Sequence, residues 1–236
     1  VSVIYIARHG QASFGEDNYD RLSELGVEQA RILAWHFIDL GLSFDAVCSG
    51  GIMRQRQTAQ EILDAYGRRG IACPPLAILP EFDEYDSKAI ISSQIGELID
   101  EDPSLASELK KIYTDKKAFQ IVFERVMLRW VSGSFDKPGV ETYGSVKSRV
   151  AAGLEKLMAA HGRNKTILLI ASGGTIAASV QYALGIGDEQ MLRISWQIAN
   201  TSLSSFVYSG ERITLSSFNS LAHILLMKDP ALISYR

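Results

Sequence analysis

Four short stretches set ionisable or small polar residues directly behind an apolar run. Arg8-His9-Gly10-Gln11 follows VSVIYIA, and Ser49-Gly50-Gly51 follows FDAVCS with Arg54 on the next helical turn. Glu81 follows LAILP, and Ser172-Gly173-Gly174 follows TILLIA. Two arginines, a histidine, a carboxyl and a glycine-rich helix start suit one ligand group above others, a phosphoryl group. Arg8 and Arg54 supply fork-shaped donors for phosphate oxygens, and His9 is the nucleophile able to take a phosphoryl group at neutral pH. Glu81 is then the acid that protonates the leaving oxygen, which requires burial to raise its pKa. Ser172 and Gly173 add hydroxyl and backbone donors.

The elements that must position these groups follow from periodicity. Residues 1–7, 44–49, 76–80 and 166–171 read as strands, whereas 22–41, 51–67, 144–161 and the run from the Gly-Gly turn to Gly185 read as helices. Ser23 is the expected N-cap of the first helix, and the second is expected to close on Gly67. Strands alternating with helices imply parallel pairing, and ligands in such sheets sit beyond the carboxyl ends of the strands. Runs at 201–208 and 211–218 add two more strands. The alternation stops from about 86 to 140, which reads as an inserted helical cap with a loop at 100–103 and a solvated face of lysines at 110, 111, 116 and 117. The expectation is one α/β domain over 1–236, a three-layer α/β/α sandwich with a mostly parallel central sheet and a helical cap insertion.

Composition excludes several classes. The 236 residues are 47% hydrophobic, enough for a sizeable core, and carry a net charge of -3. That charge offers no electrostatic footprint for nucleic acid. The uncharged stretch from Ile167 to Gly187 contains Ser172, Gly173, Gly174, Thr175, Ser179 and Gln181, so a strand, a turn and a helix explain it better than a membrane span. Two cysteines, Cys48 and Cys73, form neither a disulfide framework nor a metal-ligand pattern. With no secretory signal pattern at the start, a cytoplasmic setting is expected. Oligomeric state is not legible.

Taken together, the motifs resemble those of the histidine phosphatase superfamily, the phosphoglycerate mutase-like proteins. Arg8-His9-Gly10 matches the family's nucleophile motif, and the stretch from Leu22 to Ala30 is similar to its Leu-Thr-x-x-Gly-x-x-Gln-Ala helix start. Residues 54–59, Arg-Gln-Arg-Gln-Thr-Ala, resemble Arg-Ala-x-Gln-Thr-Ala, and Leu79-Pro80-Glu81 resembles the Leu-x-Glu that carries the proton donor. The resemblance implies a phosphohistidine on His9, hydrolysed by water, with no metal or organic cofactor. The substrate would be a phosphorylated small molecule or phosphoprotein.

Two positions depart from the pattern. Ala171-Ser172-Gly173-Gly174 stands where the family has Ser-His-Gly-Gly, so a second histidine is missing; losing one charged donor typically costs roughly 10²- to 10³-fold in rate. Phe14-Gly15 stands where the mutase branch has Trp-Asn, which favours phosphatase over mutase chemistry. Among the remaining histidines, His36, His161 and His223 read as structural. The alternatives are a phosphate-ligand or phosphoprotein binding protein with little turnover, and a cysteine phosphatase in which Cys48-x5-Arg54 supplies the nucleophile.

Overall fold

Among the described residues six strands form one sheet, in the order β3 (Leu76–Ile78), β2 (Ala46–Ser49), β4 (Thr166–Ala171), β1 (Ser2–Arg8), β5 (Leu203–Ser209) and β6 (Arg212–Ser220). The computed structural model describes residues 1–13, 20–109 and 115–235. Strands β1, β2, β3 and β4 are mutually parallel, whereas β5 and β6 close one side antiparallel. The sheet is therefore mostly parallel, with helices on both faces.

The pleat explains the apolar run of β4. Leu168 and Ile170 face helices α1 (Glu24–Asp39) and α2 (Met53–Arg68), packing with Leu33, Phe37, Ala59 and Ile62. Ile167, Leu169 and Ala171 face the other way, toward Val150 and Leu154 of α6 (Tyr143–His161) and Ile176 and Val180 of α7 (Gly173–Leu184). A strand covered on both faces has no solvent side, so it carries no polar alternation. Ser23 caps α1 as expected, accepting from the Gly26 N–H. Helix α2 runs through Gly67 to Arg68, and the left-handed glycine that closes it is Gly70.

Between the 3-10 turn Pro80–Phe82 and α6 lie α3 (Ser87–Glu101), α4 (Leu105–Leu109) and α5 (Lys116–Val131), with Asp102 ending α3 where the loop was expected. Arg129 of α5 ties this layer to α3 through Gln94, Glu97 and Glu101. Lys110 and Lys111 lie outside the described residues, and Lys117 is exposed. After α7 come α8 (Asp188–Ser195), β5, β6 and the short α9 (Ala222–Leu225).

Register sets the functional edge. Arg8 pairs with Ala171 and Ser49 with Ile170, so the residues after β1, β2 and β4 emerge side by side.

Candidate active site

His9 leaves β1 with its N–H bonded to the Ala171 carbonyl at 2.9 Å, and its own carbonyl accepts from Asn200 at 3.0 Å. The following turn is pressed against α1. A Cβ on Gly10 would lie 2.3 Å from the Gly26 carbonyl oxygen, and one on Gly26 would lie 2.1 Å from that of Gln11. Only paired glycines allow this approach, and it holds the loop that carries His9.

The imidazole is 4% exposed, with Nδ1 2.7 Å from the Gly10 carbonyl. A carbonyl only accepts, so Nδ1 carries the proton and Nε2 keeps its lone pair. Arg54 Nε donates to that Nε2 at 3.0 Å. Burial, then Arg54 and Arg8, hold the His9 pKa well below the ordinary histidine range against the opposing Gly10 bond. The ring is thus neutral and nucleophilic at neutral pH, with two cations beside it.

Arg54 sits on the first turn of α2, and its other arm pairs with Asp20 at 2.6 Å. Asp20 also accepts from the Met53 N–H at 2.8 Å, capping α2 from 33 residues away. No local spacing pattern marks Asp20, which is why sequence reasoning missed it. Arg8 donates to the Ile198 carbonyl and lies alongside Gly173.

The structure does not bring Glu81 to this cluster. In the 3-10 turn neighbouring residues diverge by about 120°; Phe82 enters the core, so Glu81 turns toward α6 and pairs with Lys156 at 2.9 Å. Lys156 holds the Glu81 carboxyl below its ordinary range, the opposite of what an acid catalyst needs. Three residues on, Glu84 accepts from the Gly174 N–H at 3.1 Å, at the N-terminus of α7. The residue is partly buried, and desolvation raises its carboxyl above the ordinary range, with the Gly174 bond and then Arg54 and Arg8 acting against the rise. The carboxyl that meets the two arginines is therefore Glu84 rather than Glu81.

Ser172 also differs from expectation. It is fully buried beneath the turn, and its hydroxyl accepts from Gln55 Nε2 at 2.8 Å instead of facing a ligand. The N–H of Gly51 donates to Asp83, so this turn amide is already engaged. Burial pushes the Cys48 thiol up to about 11, which keeps it protonated at neutral pH and removes the basis for a cysteine nucleophile. His223 is buried and lies beside His36, with ring centroids 5.7 Å apart and planes tilted by 34°. Phe14-Gly15 lies outside the described residues. Among the described residues no group of three or more His, Cys, Asp or Glu side chains could hold a metal ion, and no helix is long and apolar enough to cross a membrane.

The site thus sets a buried histidine and two arginines at the carboxyl edge of a mostly parallel sheet in an α/β fold. The chain matches the model of the histidine phosphatase superfamily (branch 1) over residues 4–118 and 114–221, and it belongs to that family as an enzyme of this type. It is 27% identical over 228 residues to a Hydrogenobacter thermophilus protein named "Putative phosphoserine phosphatase 2", covering 93% of this chain and 96% of that one. Among solved structures, a phosphoserine phosphatase mutant from Entamoeba histolytica in complex with phosphoserine matches with a TM-score of 0.64 at 20% identity, over 95% and 100% of the two chains. The alpha-ribazole phosphatase from Shigella flexneri matches at 0.61 and 20%, over 92% and 96%.

Proposed function

We propose that this chain hydrolyses phosphomonoesters of small molecules through a phosphohistidine on His9, with Glu84 as the general acid. The observation that carries the reading is the His9 ring, buried, neutral and with its Nε2 lone pair beside Arg54. Arg54 and Arg8 would turn their donors to the phosphoryl oxygens as substrate enters. Nε2 then attacks phosphorus; the N–P bond forms as the P–O bond to the alcohol breaks, and the proton on Glu84 passes to the departing oxygen. In the second half, the Glu84 carboxylate takes a proton from water as its oxygen bonds to phosphorus. The N–P bond breaks, releasing inorganic phosphate and restoring both groups.

A raised Glu84 supports turnover over simple binding, because a carboxyl beside a phosphate weakens binding unless it carries a proton. The phosphoserine phosphatase name of the 27% identical relative supports small phosphorylated amino or hydroxy acids as first candidates.

A panel of phosphoserine, phosphoglycerate, sugar phosphates, p-nitrophenyl phosphate and phosphopeptides, with His9→Ala as blank, tests the proposal. Turnover that His9→Ala abolishes, together with acid-labile phosphate on the wild-type protein, is expected. Phosphate or vanadate binding without any turnover would instead mean a binding protein.

A further inference from the structure

Glu84 belongs to no helix or strand; it lies in the coil between the 3-10 turn and α3. The preceding main-chain carbonyls must therefore find partners outside regular structure. They find them on side chains of other elements. Arg149 of α6 donates from one guanidinium nitrogen to the carbonyls of Glu81 at 2.8 Å and Asp83 at 2.7 Å. Gln55 of α2 holds the intervening Phe82 carbonyl at 2.9 Å.

Arg149 is itself fixed. Its Nε and second terminal nitrogen grip Glu141 at 2.7 and 3.1 Å, a two-point contact that sets the guanidinium plane and leaves the remaining nitrogen for the two carbonyls. Gly153, one helical turn along α6 on the same face, allows the segment to approach. A Cβ there would fall 2.8 Å from the Phe82 ring and 2.9 Å from Glu81 Cβ. One face of α6 thus acts as a cradle for residues 81–83, and what the cradle presents is Glu84 against the Gly174 N–H.

We infer that Arg149 is a positioning residue for the acid, holding Glu84 at the N-terminus of α7 by clamping the carbonyls of Glu81 and Asp83. The inference rests on the assignment of Glu84 as acid. Lysine cannot replace it, because a single ammonium cannot grip Glu141 at two points and also span both carbonyls.

The test uses leaving groups. Phosphoserine needs its departing alkoxide protonated, whereas p-nitrophenolate leaves as an anion and depends little on an acid. Arg149→Met is expected to lower kcat/KM, which reports the leaving-group half-reaction and not the shared hydrolysis of the phosphohistidine, by about tenfold to hundredfold for phosphoserine or the best alkyl phosphate of the panel, and by less than about threefold for p-nitrophenyl phosphate. Glu84→Gln should show the same split, and Arg149→Lys should recover only part of the loss. A second readout does not need turnover: with ¹³C-labelled glutamate, Glu84 should titrate above the usual range in the wild type and move back toward it in Arg149→Met and Arg149→Lys, as water reaches the loosened segment.

Equal losses in kcat/KM on both substrates, or a Glu84 titration indifferent to Arg149, would overturn the inference. If Arg149→Met fails to fold, Arg149→Lys carries both measurements. A wild-type protein that hydrolyses neither ester, yet whose Glu84 titration moves with Arg149, would refute the phosphatase reading and leave the positioning role supported.

Discussion

Gln55 Nε2 donates to Ser172 Oγ at 2.8 Å, and neither side chain is exposed. The family motifs that these segments resemble carry alanine and histidine at the two positions. The structure therefore holds no vacancy where the histidine is missing, since a larger side chain on α2 reaches the smaller one at the N-cap of α7. Inserting an imidazole at 172 would overpack the space and strand the Gln55 amide, whose Oε1 is already buried without a hydrogen-bond partner among the described residues. Ser172→His alone is expected to destabilise by about 1–3 kcal/mol and to gain no activity. Adding Gln55→Ala should recover at least half of that loss. A double-mutant cycle from urea unfolding measures the coupling, and a coupling near zero would show that the two positions are independent.

The two glycines of the α7 start are not equivalent. A Cβ on Gly174 would lie 2.3 Å from Tyr85 Cε1 and 2.5 Å from Glu84 Oε1, whereas one on Gly173 meets nothing closer than 3.6 Å. Gly174→Ala must displace Glu84 and Tyr85, so kcat on alkyl phosphates should drop at least tenfold with a stability loss of about 1–3 kcal/mol. Gly173→Ala should fold within about 1 kcal/mol of the wild type, since the position is helical and an added Cβ meets its neighbours at ordinary contact distance. Equal effects of the two substitutions on Tm would argue against a specific contact at Gly174.

What was legible in the sequence was what local periodicity and chain order encode. β1, β4 and the Gly-Gly turn, together with His9 and Arg54, appear where apolar runs end, and the pairing of Arg8 with Ala171 explains why those ends coincide. Orientation was not legible. Glu81 and Glu84 both follow the third strand, and only the packing of Phe82 into the core decides which carboxyl turns inward. Asp20, Gln55 and Arg149 escaped for a related reason: they bond Met53, Ser172 and Asp83, which are 33, 117 and 66 residues away, and no spacing rule connects them.

The two carboxyls should therefore separate in kinetics. Glu84→Gln removes a carboxyl raised by burial, and about a hundredfold loss in kcat on an alkyl phosphate is expected. The wild-type rate should fall as pH rises through the elevated Glu84 pKa, because the acid form is the one that donates, and Glu84→Gln should flatten that limb. Glu81→Gln removes only the partly exposed pair with Lys156, so kcat should stay within about threefold and stability within about 1 kcal/mol. A pH–rate profile for each variant separates the two, and a large loss from Glu81→Gln would restore that residue as the acid.

His223 should make the fold sensitive to acid. Its ring is 3% exposed and packs near His36 of α1, with Nε2 3.4 Å from the Thr201 hydroxyl. Burial first, and then His36, push its pKa down to about 4, against a hydrogen bond with Thr201. An unfolded histidine titrates near 6.5, so between those values the unfolded chain binds a proton that native His223 refuses. Its contribution is then intact above about pH 6.5 and lost as pH falls toward 4, by roughly 3 kcal/mol across the window. His9, also held neutral by burial, works in the same direction, so the comparison must isolate one ring. His223→Asn keeps a polar group near Thr201 without the titration. Urea unfolding at pH 7.5, 5.5 and 4.5 should give a wild-type stability that declines more steeply than the variant's below pH 6.5. A wild-type to variant difference that stays constant across the three pH values would show that His223 does not carry the acid sensitivity.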